Sequence, residues 1–439
     1  MNYTQAMDYI ESAHKFGINL GLPRTLKILE ILGEPQDKIK CIHIAGTNGK
    51  GSVTAMTTEI LIAAGYKVGM YTSPFLEEFE ERIQINGVNI PKDDLADMVT
   101  KVAKAVGEIK KLGYEEPTEF EIITCAMYLY FYEQKVDYAV IEVGLGGRQD
   151  STNVMTPVVS AIVSISFDHM NILGDTLAKI AYEKAGIIKK NVPVVLYPQE
   201  QEAYDVFKKA AAENNSKIIQ VSKGDIIKTK DDAKKNSSHQ QFTIKTKNDE
   251  YDVKLGLLGV HQYLNTAVAI NIIETLNSTG EHITKEQILK GLENVKWIGR
   301  LEIMSKEPLV VIDGAHNIDG ITNLAKSIEK YFSYKKMVLV LGILADKQVT
   351  QMIEIIVPFA KNIITVSPHS DRATGAEDLK IKIDEFVKTK NLDIKTEAED
   401  DYETAFKKAR AYCDNDDMLL VAGSLYLIGD MRKIIRKFV

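Results

Sequence analysis

The sequence predicts an α/β protein of two domains, each built on a mostly parallel sheet. Three observations support this fold class. Short apolar runs alternate with helical patterns along most of the chain, a glycine-rich loop follows an early apolar run, and a second alternating series begins near residues 294–300. Alternating strands and helices form mostly parallel sheets covered by helices. We therefore predict a first domain over residues 1–296 and a second over residues 297–439.

Length and charge limit the class of protein. The chain has 439 residues, which exceeds one typical core and suits two domains. Hydrophobic residues make up 45% and charged residues 26%, as in an ordinary globular protein. There are 54 Lys and Arg against 61 Asp and Glu, a net charge of -7, whereas nucleic-acid binding usually requires a basic stripe. We expect no nucleic-acid partner.

No targeting segment is evident, and the cysteines do not form a motif. The N-terminus lacks a basic region followed by an apolar one, so we expect no signal peptide. The apolar stretches Met337–Ala345 and Met418–Ile428 are too short to span a bilayer, and we interpret both as buried strands. Cys41, Cys125 and Cys413 are far apart, which indicates reduced, buried thiols in a cytoplasmic protein without a membrane partner.

The first domain is predicted to be of the P-loop type. The residues before position 40 look helical, the run Ile39–Ala45 predicts a strand, and the helical pattern Val53–Ala64 ends at Gly65. The further strands that we predict are Tyr138–Val143, Val158–Ile165 and Pro193–Tyr197, and the further helices are Glu119–Glu133, Thr176–Ile188 and His261–Leu276.

A polar region interrupts this first series. The stretch TKDDAKKNSSHQ, residues 229–240, is charged, and short alternating runs (FTIKT and YDVKL) lie beside it. Alternation of apolar and polar residues is typical of half-buried strands. We predict a small antiparallel hairpin region with an exposed tip.

The second domain is predicted to be a smaller, Rossmann-like, doubly wound unit. Its predicted strands are Leu309–Ile312, Met337–Leu341, Asn362–Val366 and Met418–Val421, and its predicted helices are Ile318–Tyr331, Val349–Phe359, Ala376–Val387 and Tyr402–Cys413.

The glycine-rich loop is the strongest chemical signal. It lies in the segment His43–Ser52, between a predicted strand and a predicted helix, and its nucleotide-binding candidates are Gly46, Thr47, Asn48, Gly49, Lys50, Gly51 and Ser52. Glycines bring backbone N–H groups against phosphate oxygens, and the helix dipole favours an anion there. Lys50 would neutralise β- and γ-phosphate charge, and the Ser52 hydroxyl would bind Mg²⁺. The unusual glycine spacing makes an ordinary GTPase or nucleoside kinase less favoured; the alternative is a glycine-rich turn with a solvated lysine.

Polar residues also follow other predicted strands of the first domain. Glu142 ends one apolar strand, where a carboxylate can hold Mg²⁺ as a Walker-B acid does, or cap the next turn. Asp168 and His169 follow another strand in the same way, with a capped turn as the alternative. Lys184 lies on a predicted helix, and a lysine there usually belongs to a solvated face.

The second domain repeats this arrangement. Asp313 and His316 follow its first strand. Arg300 lies near the predicted boundary, where an arginine can reach a transferring phosphoryl group when domains close, or form an interdomain salt bridge. Both roles can coexist.

Several motifs, in order along nearly the whole chain, resemble one family: folylpolyglutamate synthase and dihydrofolate synthase, among the Mur-ligase-like amide ligases. The matching stretches are HIAGTNGKGS (43–52), TSPF with ERI (72–83), TEFE (118–121), EVGLGGRQDSTN (142–153), DH (168–169), LGDTLAKIAYEKAGI (173–187), GVHQYLN (259–265), GRLE (299–302), DGAHN (313–317) and GSLYLIG (423–429).

The resemblance implies a reaction. ATP would phosphorylate the γ-carboxylate of a folate, and the amino group of L-glutamate would attack the acyl phosphate; dihydropteroate is the alternative acceptor. The resemblance further implies ATP and two Mg²⁺ ions as cofactors, and we expect a monomer. Such a site must neutralise phosphate charge and exclude water, which would hydrolyse the intermediate.

The resemblance also assigns roles. The metal ligands would be Ser52, Ser73, Glu142, His169 and Lys184, the last after carbamylation. The nucleotide contacts outside the loop would be Asn265, Arg300 and Asp313, and the catalytic groups would be Lys50, Lys184, Arg300 and His316. The substrate contacts would be Phe75, Arg82, Thr118, Ser151 and His316.

Two positions depart from the family pattern. Many bifunctional members have His where this chain has Phe75, and many read LDATN where this chain has QDSTN at residues 149–153. Both regions bear on pterin recognition. Extension of polyglutamate is therefore better supported than the first addition of glutamate to dihydropteroate.

Three other functions compete. A cell-wall ligase acting on a UDP-linked peptide usually carries a UDP-binding domain before the loop, and residues 1–42 are too few for one. A P-loop nucleotide switch or small-molecule kinase would not need the second domain. A non-enzymatic binding protein is disfavoured because Lys50, Ser52 and Glu142 are all present.

Overall fold

The computed structural model describes residues 1–439 except 14–16, 18, 20 and 230–234. Within it the chain forms two units. Unit 1 consists of Met1–Lys228, Thr243–Val253 and Leu264–Val295, and unit 2 consists of Thr229–Phe242, Lys254–Tyr263 and Lys296–Val439. The expected uninterrupted domain over residues 1–296 differs from these units, because two segments before residue 264 belong to unit 2.

Unit 1 is built on an eight-stranded sheet in the order β4-β3-β2-β5-β1-β6-β7-β8. Its strands are β1 Lys40–Ala45, β2 Val68–Tyr71, β3 Ile83–Ile85, β4 Val88–Asn89, β5 Tyr138–Glu142, β6 Val159–Ile162, β7 Val194–Leu196 and β8 Ile218–Gln220. The pairs β2–β3 and β3–β4 are antiparallel, and all other pairs are parallel. The carboxyl ends of β1, β5 and β6, which carry the predicted site residues, therefore lie side by side.

The helices of unit 1 follow from capping signals and apolar patterns. They are α1 Tyr3–Ser12, α2 Pro23–Ile31, α3 Lys50–Ala63, α4 Lys92–Lys111, α5 Glu119–Glu133, α6 Met170–Leu173, α7 Leu177–Lys184 and α8 Gln201–Glu213, with α9 Gln262–Ser278, most of which lies in unit 1, and α10 Lys285–Asn294. For example, the Thr118 hydroxyl accepts the Glu121 N–H, and the Glu121 carboxylate accepts the Thr118 N–H, which closes a capping box on α5. Helix α3 begins at Lys50, earlier than predicted, so the loop residues Lys50 and Ser52 lie in its first turn.

The polar region contributes a three-stranded sheet in the order β11-β10-β9, made of β9 Ile226–Thr229, β10 Gln240–Lys245 and β11 Glu250–Leu255. The runs FTIKT and YDVKL lie on β10 and β11, which are neighbours. The turn between them is closed by the Thr246 N–H, which donates to Asp249 O at 2.9 Å. The predicted exposed tip falls largely on residues 230–234, outside the described part of the chain.

Unit 2 is built on a six-stranded sheet in the order β12-β13-β17-β14-β15-β16. Its strands are β12 Glu302–Lys306, β13 Leu309–Asp313, β14 Met337–Leu341, β15 Ala360–Thr365, β16 Lys395–Ala398 and β17 Met418–Ala422, and its helices are α11 Ile318–Tyr331, α12 Val349–Ile356, α13 Ala376–Thr389, α14 Tyr402–Ala411 and α15 Leu425–Ile435. Only β12 runs antiparallel to its neighbour. The predicted α/β fold class is confirmed.

Two sequence expectations were wrong in detail. The apolar stretch Met418–Ile428 is not one strand, because β17 ends at Ala422 and the Ser424 hydroxyl caps α15. The predicted helix Thr176–Ile188 ends at Lys184 and continues as a 3₁₀ turn, Ala185–Ile187. In both places most apolar residues stay buried or half-buried although the backbone conformation changes, whereas Tyr182 and Tyr426 are exposed.

The cores explain why these elements hold. In unit 1, buried side chains of α1, α2, α4 and α5 pack against one face of the sheet, and those of α7 and α8 pack near β6 and β7. In unit 2, β13, β14 and β17 are buried along their whole length, as expected for central parallel strands. The three cysteines are buried and free of disulfides.

Candidate active site

The glycine-rich loop joins β1 to α3 and is anchored to the segment after β6. The Thr47 N–H donates to Ser164 O at 2.7 Å, and the Thr47 hydroxyl donates to Ser166 O at 3.1 Å. Glycine is required at two positions. A Cβ at Gly46 would lie 2.2 Å from Val163 Cγ2, and Gly49 has a φ of +92°. The loop therefore has a fixed shape, with the first turn of α3 directly behind it.

Lys50, Ser52, Ser73 and Glu142 meet beside this loop. Glu142, at the end of β5, is buried, and so is Ser52. Glu142 Oε1 lies 3.9 Å from Lys50 Nζ, and Glu142 Oε2 accepts the Ser73 N–H at 3.3 Å. Parallel pairing of β1 with β5 sets Glu142 opposite Ile44, two residues before the loop. The structure thus brings together the Lys50 cation, the Glu142 carboxylate and the Ser73 backbone N–H.

Lys184 is the main surprise of unit 1. The helix position alone favoured a solvated side chain, but Lys184 is 3% exposed and its Nζ donates to Gly46 O at 2.8 Å. Burial, together with the nearby Lys50 charge, lowers the pKa of Lys184 to about 7. Near neutral pH an amine with this pKa is present in both its charged and its neutral form. Lys184 therefore places less positive charge beside the loop than an exposed lysine would.

His169 lies on the loop after β6, at the start of α6. Its φ is 49°, and its N–H donates to Asp168 Oδ1 at 2.9 Å. The His169 side chain is 39% exposed, whereas Asp168 is mostly covered. The Asp168 charge opposes the lowering of the Lys184 pKa by burial. The predicted pair thus lies at the same sheet edge as the loop.

Three of the predicted substrate contacts lie near one another. The Arg82 guanidinium lies 5.3 Å from the Phe75 ring centroid and 5.2 Å from that of Phe79. Arg82 Nη2 also lies 3.5 Å from Glu119 Oε1, on the first residue of α5, which Thr118 caps. The Thr118 hydroxyl oxygen thus caps α5, and its own proton can still be donated to another group.

Ser151 and Asn265 belong to two other segments of unit 1. Ser151 is buried in a 3₁₀ turn, Ser151–Val154. Asn265, on α9, is buried beside the phosphate loop, because a Cβ at Gly49 would lie 2.7 Å from Asn265 Oδ1. The predicted adenine contact of Asn265 stays a prediction.

Sequence reasoning missed Asp150, which organises the loop after β5. Its buried carboxylate accepts the Leu145 N–H at 2.8 Å and the Thr152 N–H at 3.0 Å, and Thr152 Oγ1 lies 2.8 Å from His43 Nε2. Burial raises the pKa of Asp150 and lowers that of His43 to about 3, so His43 is neutral. The available signal was the spacing Asp-x-Thr, which is typical of an Asx turn.

In unit 2, Asp313, Arg300 and His316 lie together at the carboxyl end of β13. Asp313 is buried, and its two oxygens accept the Leu301 N–H and the Ala315 N–H, each at 2.9 Å. Burial raises the pKa of Asp313, and the Arg300 charge opposes this. His316 Nδ1 donates to Gly314 O at 2.8 Å, so in the neutral ring Nε2 is the basic nitrogen.

Glu302 and Arg432 hold the turn that carries Arg300, and neither was identified from the sequence. Glu302 accepts the Gly299 N–H at 2.8 Å and pairs with Arg432, whose Nε and Nη2 lie 3.0 Å and 2.8 Å from Glu302 Oε1. This paired contact fixes the GRLE turn. The long separation of Glu302 from Arg432 in sequence leaves no local pattern that predicts it.

Among the described residues, no group of three or more His, Cys, Asp or Glu side chains could hold a metal ion. No described helix is long and apolar enough to cross a membrane.

Comparisons with known proteins agree with this geometry. Residues 44–273 match the Mur ligase middle domain, and residues 299–425 match the Mur ligase, glutamate ligase domain. The chain is 37% identical over 434 residues to the dihydrofolate synthase/folylpolyglutamate synthase of Bacillus subtilis, covering 98% of both chains. The chain belongs to this family of Mur ligases. It is an ATP-dependent ligase.

Two further relatives support the same family assignment. The chain is 39% identical to the folylpolyglutamate synthase of Lacticaseibacillus casei, over 80% of this chain and 82% of the relative. The structure of Mycobacterium tuberculosis folylpolyglutamate synthase, complexed with ADP and AMPPCP, superposes with a TM-score of 0.89 at 27% identity, over 99% of each chain. Nucleotide binding is thus a property of the structural relatives.

Proposed function

We propose that this ligase is a folylpolyglutamate synthase, which adds L-glutamate to the γ-carboxylate of a folate, with tetrahydrofolate as the test substrate. One observation carries the proposal: the phosphate loop of unit 1 lies beside Glu142 and the buried amine of Lys184. The match of unit 2 to a glutamate ligase domain supports an amino acid as the second substrate. It also disfavours a nucleotide switch or kinase.

The proposed reaction has two steps, phosphorylation of the carboxylate and attack by the amine. A γ-carboxylate oxygen attacks the γ-phosphorus of ATP, and ADP leaves, which gives an acyl phosphate. The amino nitrogen of glutamate then attacks the acyl carbon, phosphate leaves with the former carboxylate oxygen, and the amine proton passes to a base. Phosphorylation is needed because a carboxylate is a poor electrophile.

The proposed roles in the first step belong to unit 1. Lys50 and the first-turn amides of α3 would neutralise charge on the transferring phosphoryl group. Asn265 would contact the nucleotide base. Phe75, Arg82, Thr118 and Ser151 would bind the pterin-bearing substrate.

The proposed roles in the second step belong to unit 2. Arg300 would stabilise the developing phosphate charge, and Asp313 would bind the ribose. His316 is proposed to act near the incoming glutamate, since a neutral ring whose Nδ1 donates to Gly314 O has its basic lone pair on Nε2. The neutral tautomer fits acceptance of the amine proton.

Magnesium fits the unit 1 residues. Mg²⁺ is usually held by one or two carboxylates together with phosphate oxygens, so the lack of a larger carboxylate cluster does not count against it. Glu142 and Ser52, with Ser73 nearby, would hold one ion, and His169 with Lys184 would hold a second. The ions would supply positive charge to the phosphate oxygens.

We also propose that Lys184 becomes carbamylated. The neutral amine attacks CO₂ and loses a proton, which converts a cation into an anionic oxygen ligand. The lowered pKa supports this, because a neutral amine is the reactive form. Asp168 would then face a carbamate instead of an ammonium group.

Dihydrofolate synthesis is a second candidate activity. The 37% identical relative is named for both activities, and the 39% identical relative is named for folylpolyglutamate synthesis alone. Phe75 and the QDSTN segment depart from the pattern of many bifunctional members. We rank extension of polyglutamate first, and we propose a cytoplasmic monomer.

The test is ADP release by the purified enzyme with ATP and magnesium, using tetrahydrofolate or dihydropteroate, each with and without L-glutamate. We expect glutamate-dependent release with tetrahydrofolate. Release with dihydropteroate as well would establish the second activity. Absence of glutamate-dependent release with either pterin would contradict the folate assignment.

A further inference from the structure

The backbone around Lys184 is fastened to the loop that follows β5. The Arg148 N–H, on that loop, donates to Glu183 O at 2.8 Å. A Cβ at Gly147 would lie 3.1 Å from Lys184 Cα, so the two backbones are in contact. The direction of the Lys184 side chain toward Gly46 therefore depends on how firmly this loop holds the end of α7.

One buried side chain bridges the two backbones. Asn153 is 4% exposed, and its Nδ2 donates both to Arg148 O at 3.1 Å and to Gly186 O at 3.0 Å. Arg148 belongs to the loop after β5, and Gly186 lies two residues after Lys184. A single amide thus joins the loop to the turn that ends α7.

The geometry explains why asparagine is needed at this position. Both partners are carbonyl oxygens, so the bridging atom must carry two N–H donors, and aspartate has none. There is also no room to relax, because a Cβ at Gly186 would lie 2.3 Å from Arg148 Cα. Loss of the bridge would leave two carbonyls without these donors in a buried place.

Asn153 is itself held from the opposite side. Its N–H donates to Asp150 O at 2.8 Å, and its carbonyl accepts Lys189 Nζ at 3.1 Å. The Asn153 backbone is therefore held in the turn Ser151–Val154, and its side chain couples that turn to the end of α7, next to Lys184.

We propose that Asn153 is a positioning residue for Lys184: it fixes the amine, or the carbamate formed from it, at the edge of the phosphate loop. The proposal rests on the ligase function proposed above. Partners that orient a metal-binding group typically change activity by about 10–100-fold when removed. In this proposal Asn153 has no contact with the reacting atoms and acts through Lys184.

The first test compares two asparagine variants of unit 1. Asn153→Ala should lower kcat by about 10–100-fold and raise the magnesium concentration needed for half-maximal rate. The matched control is Asn277→Ala, since Asn277 donates to Ile283 O at 2.8 Å and accepts the Ile283 N–H at 2.9 Å, distant from the loop in sequence. The control should change turnover by less than about twofold, within the range of a structural hydrogen bond.

The decisive measurement is a double-mutant cycle with Lys184→Ala. If Asn153 acts through Lys184, Asn153→Ala should lower the residual turnover of Lys184→Ala by less than about twofold. An equal loss in both backgrounds, or wild-type turnover in Asn153→Ala or in Lys184→Ala, would overturn the proposal. If Asn153→Ala lacks a cooperative unfolding transition, Asn153→Ser, which retains one donor, takes its place in the cycle.

The two proposals fail differently. If unaltered enzyme releases no ADP in response to glutamate, the proposed function fails. If it does so normally, and the cycle shows equal losses, only the positioning role of Asn153 fails.

Discussion

The two units each end a parallel strand with an acid, yet the two acids are held differently. Glu142 of unit 1 accepts the Ser73 N–H at 3.3 Å and lies 3.9 Å from Lys50 Nζ, which are long contacts. Asp313 of unit 2 accepts two backbone N–H groups at 2.9 Å. Glu142 therefore faces the lysine of the phosphate loop, whereas the Asp313 carboxylate holds the backbone of its own turn.

The two units also differ in how a basic side chain near each acid is influenced by its surroundings. Burial, and secondarily the neighbouring Lys50 charge, lowers the pKa of Lys184, whose Nζ donates to Gly46 O. In unit 2 the Arg300 charge instead opposes the raising of the Asp313 pKa by burial. Unit 1 thus holds a buried amine whose charged form is disfavoured, and unit 2 holds an arginine whose charge favours the ionised form of an acid. Substitutions in the two units should separate accordingly.

The largest effect is expected for Lys184→Ala. This variant should lose turnover by about 100-fold or more, since a ligand and a fixed charge at the phosphoryl group are both lost. Short carboxylic acids should restore part of the rate. Lys179→Ala, on the exposed face of the same helix, is the control and should behave as wild type. Near-wild-type turnover of Lys184→Ala would remove the carbamate from the account.

The variants Gly49→Ala and Gly314→Ala compare how strictly the loops of the two units require glycine. Gly49→Ala places a Cβ 2.7 Å from Asn265 Oδ1 at a φ of +92°, so the KM for ATP should rise by about tenfold, the cost of one to two kcal/mol of backbone strain. Gly314→Ala in unit 2 meets first the flexible end of Leu425, at 2.4 Å, and has no positive φ. Its KM for ATP should change by less than about threefold, within the tolerance of a flexible side chain. Equal changes in KM would contradict the contrast between the loops.

Arg300→Ala tests the unit 2 charge. We expect kcat to fall by about tenfold while ATP affinity changes little, because the interaction is proposed to act mainly in the transition state. Steady-state kinetics and direct ATP binding separate the two quantities. Arg410→Ala, on α14 of the same unit, is the control. A loss of ATP affinity that equals the loss of turnover would make Arg300 a binding residue.

The smallest expected effect is on the stability of the folded protein at acidic pH. Burial lowers the pKa of His43 in unit 1 to about 3 and that of His261 in unit 2 to about 4, from 6.5. Below pH 6.5 the unfolded chain binds a proton that each folded site rejects, so the free energy of unfolding falls by about 1.4 kcal/mol per pH unit for each histidine. This loss continues until the pH reaches the folded pKa.

Removing either histidine should flatten that slope. His43→Gln and His261→Gln are compared with wild type by chemical denaturation between pH 7 and pH 4.5, a window above both folded values. Each variant should lose less stability with falling pH than wild type does. An unchanged slope in His43→Gln would show that His43 is protonated in the folded protein.

The sequence predicted the parts of the fold that depend on local pattern. Central strands such as Met337–Leu341 and helices such as Glu119–Glu133 have the predicted bounds, because apolar runs and capping residues are local signals. Helix α4, Lys92–Lys111, was missed although it is amphipathic. The short strands β3 and β4 carry too few residues for a pattern.

Reasoning from the residues alone located candidate site residues where side chains follow strands, whereas the roles of Asn265 and Lys184 were implied only by the family resemblance. Glu142 and Asp313 were identified from their positions at strand ends, since parallel strands bring those ends together. The burial of Lys184 was not predictable from its helix, because it depends on contact with Gly46, which is 138 residues away. Asn153 and Glu302 were missed for the same reason: their partners are distant backbone groups or side chains.

The central claim, that the carboxylate is activated as an acyl phosphate before the amine attacks, has a direct test. A folate substrate labelled with ¹⁸O in both γ-carboxylate oxygens is turned over with ATP and L-glutamate, and the released phosphate is examined by mass spectrometry. We predict one ¹⁸O atom in each phosphate released, because phosphate leaves with a former carboxylate oxygen. Phosphate without ¹⁸O, formed alongside the amide product, would contradict it.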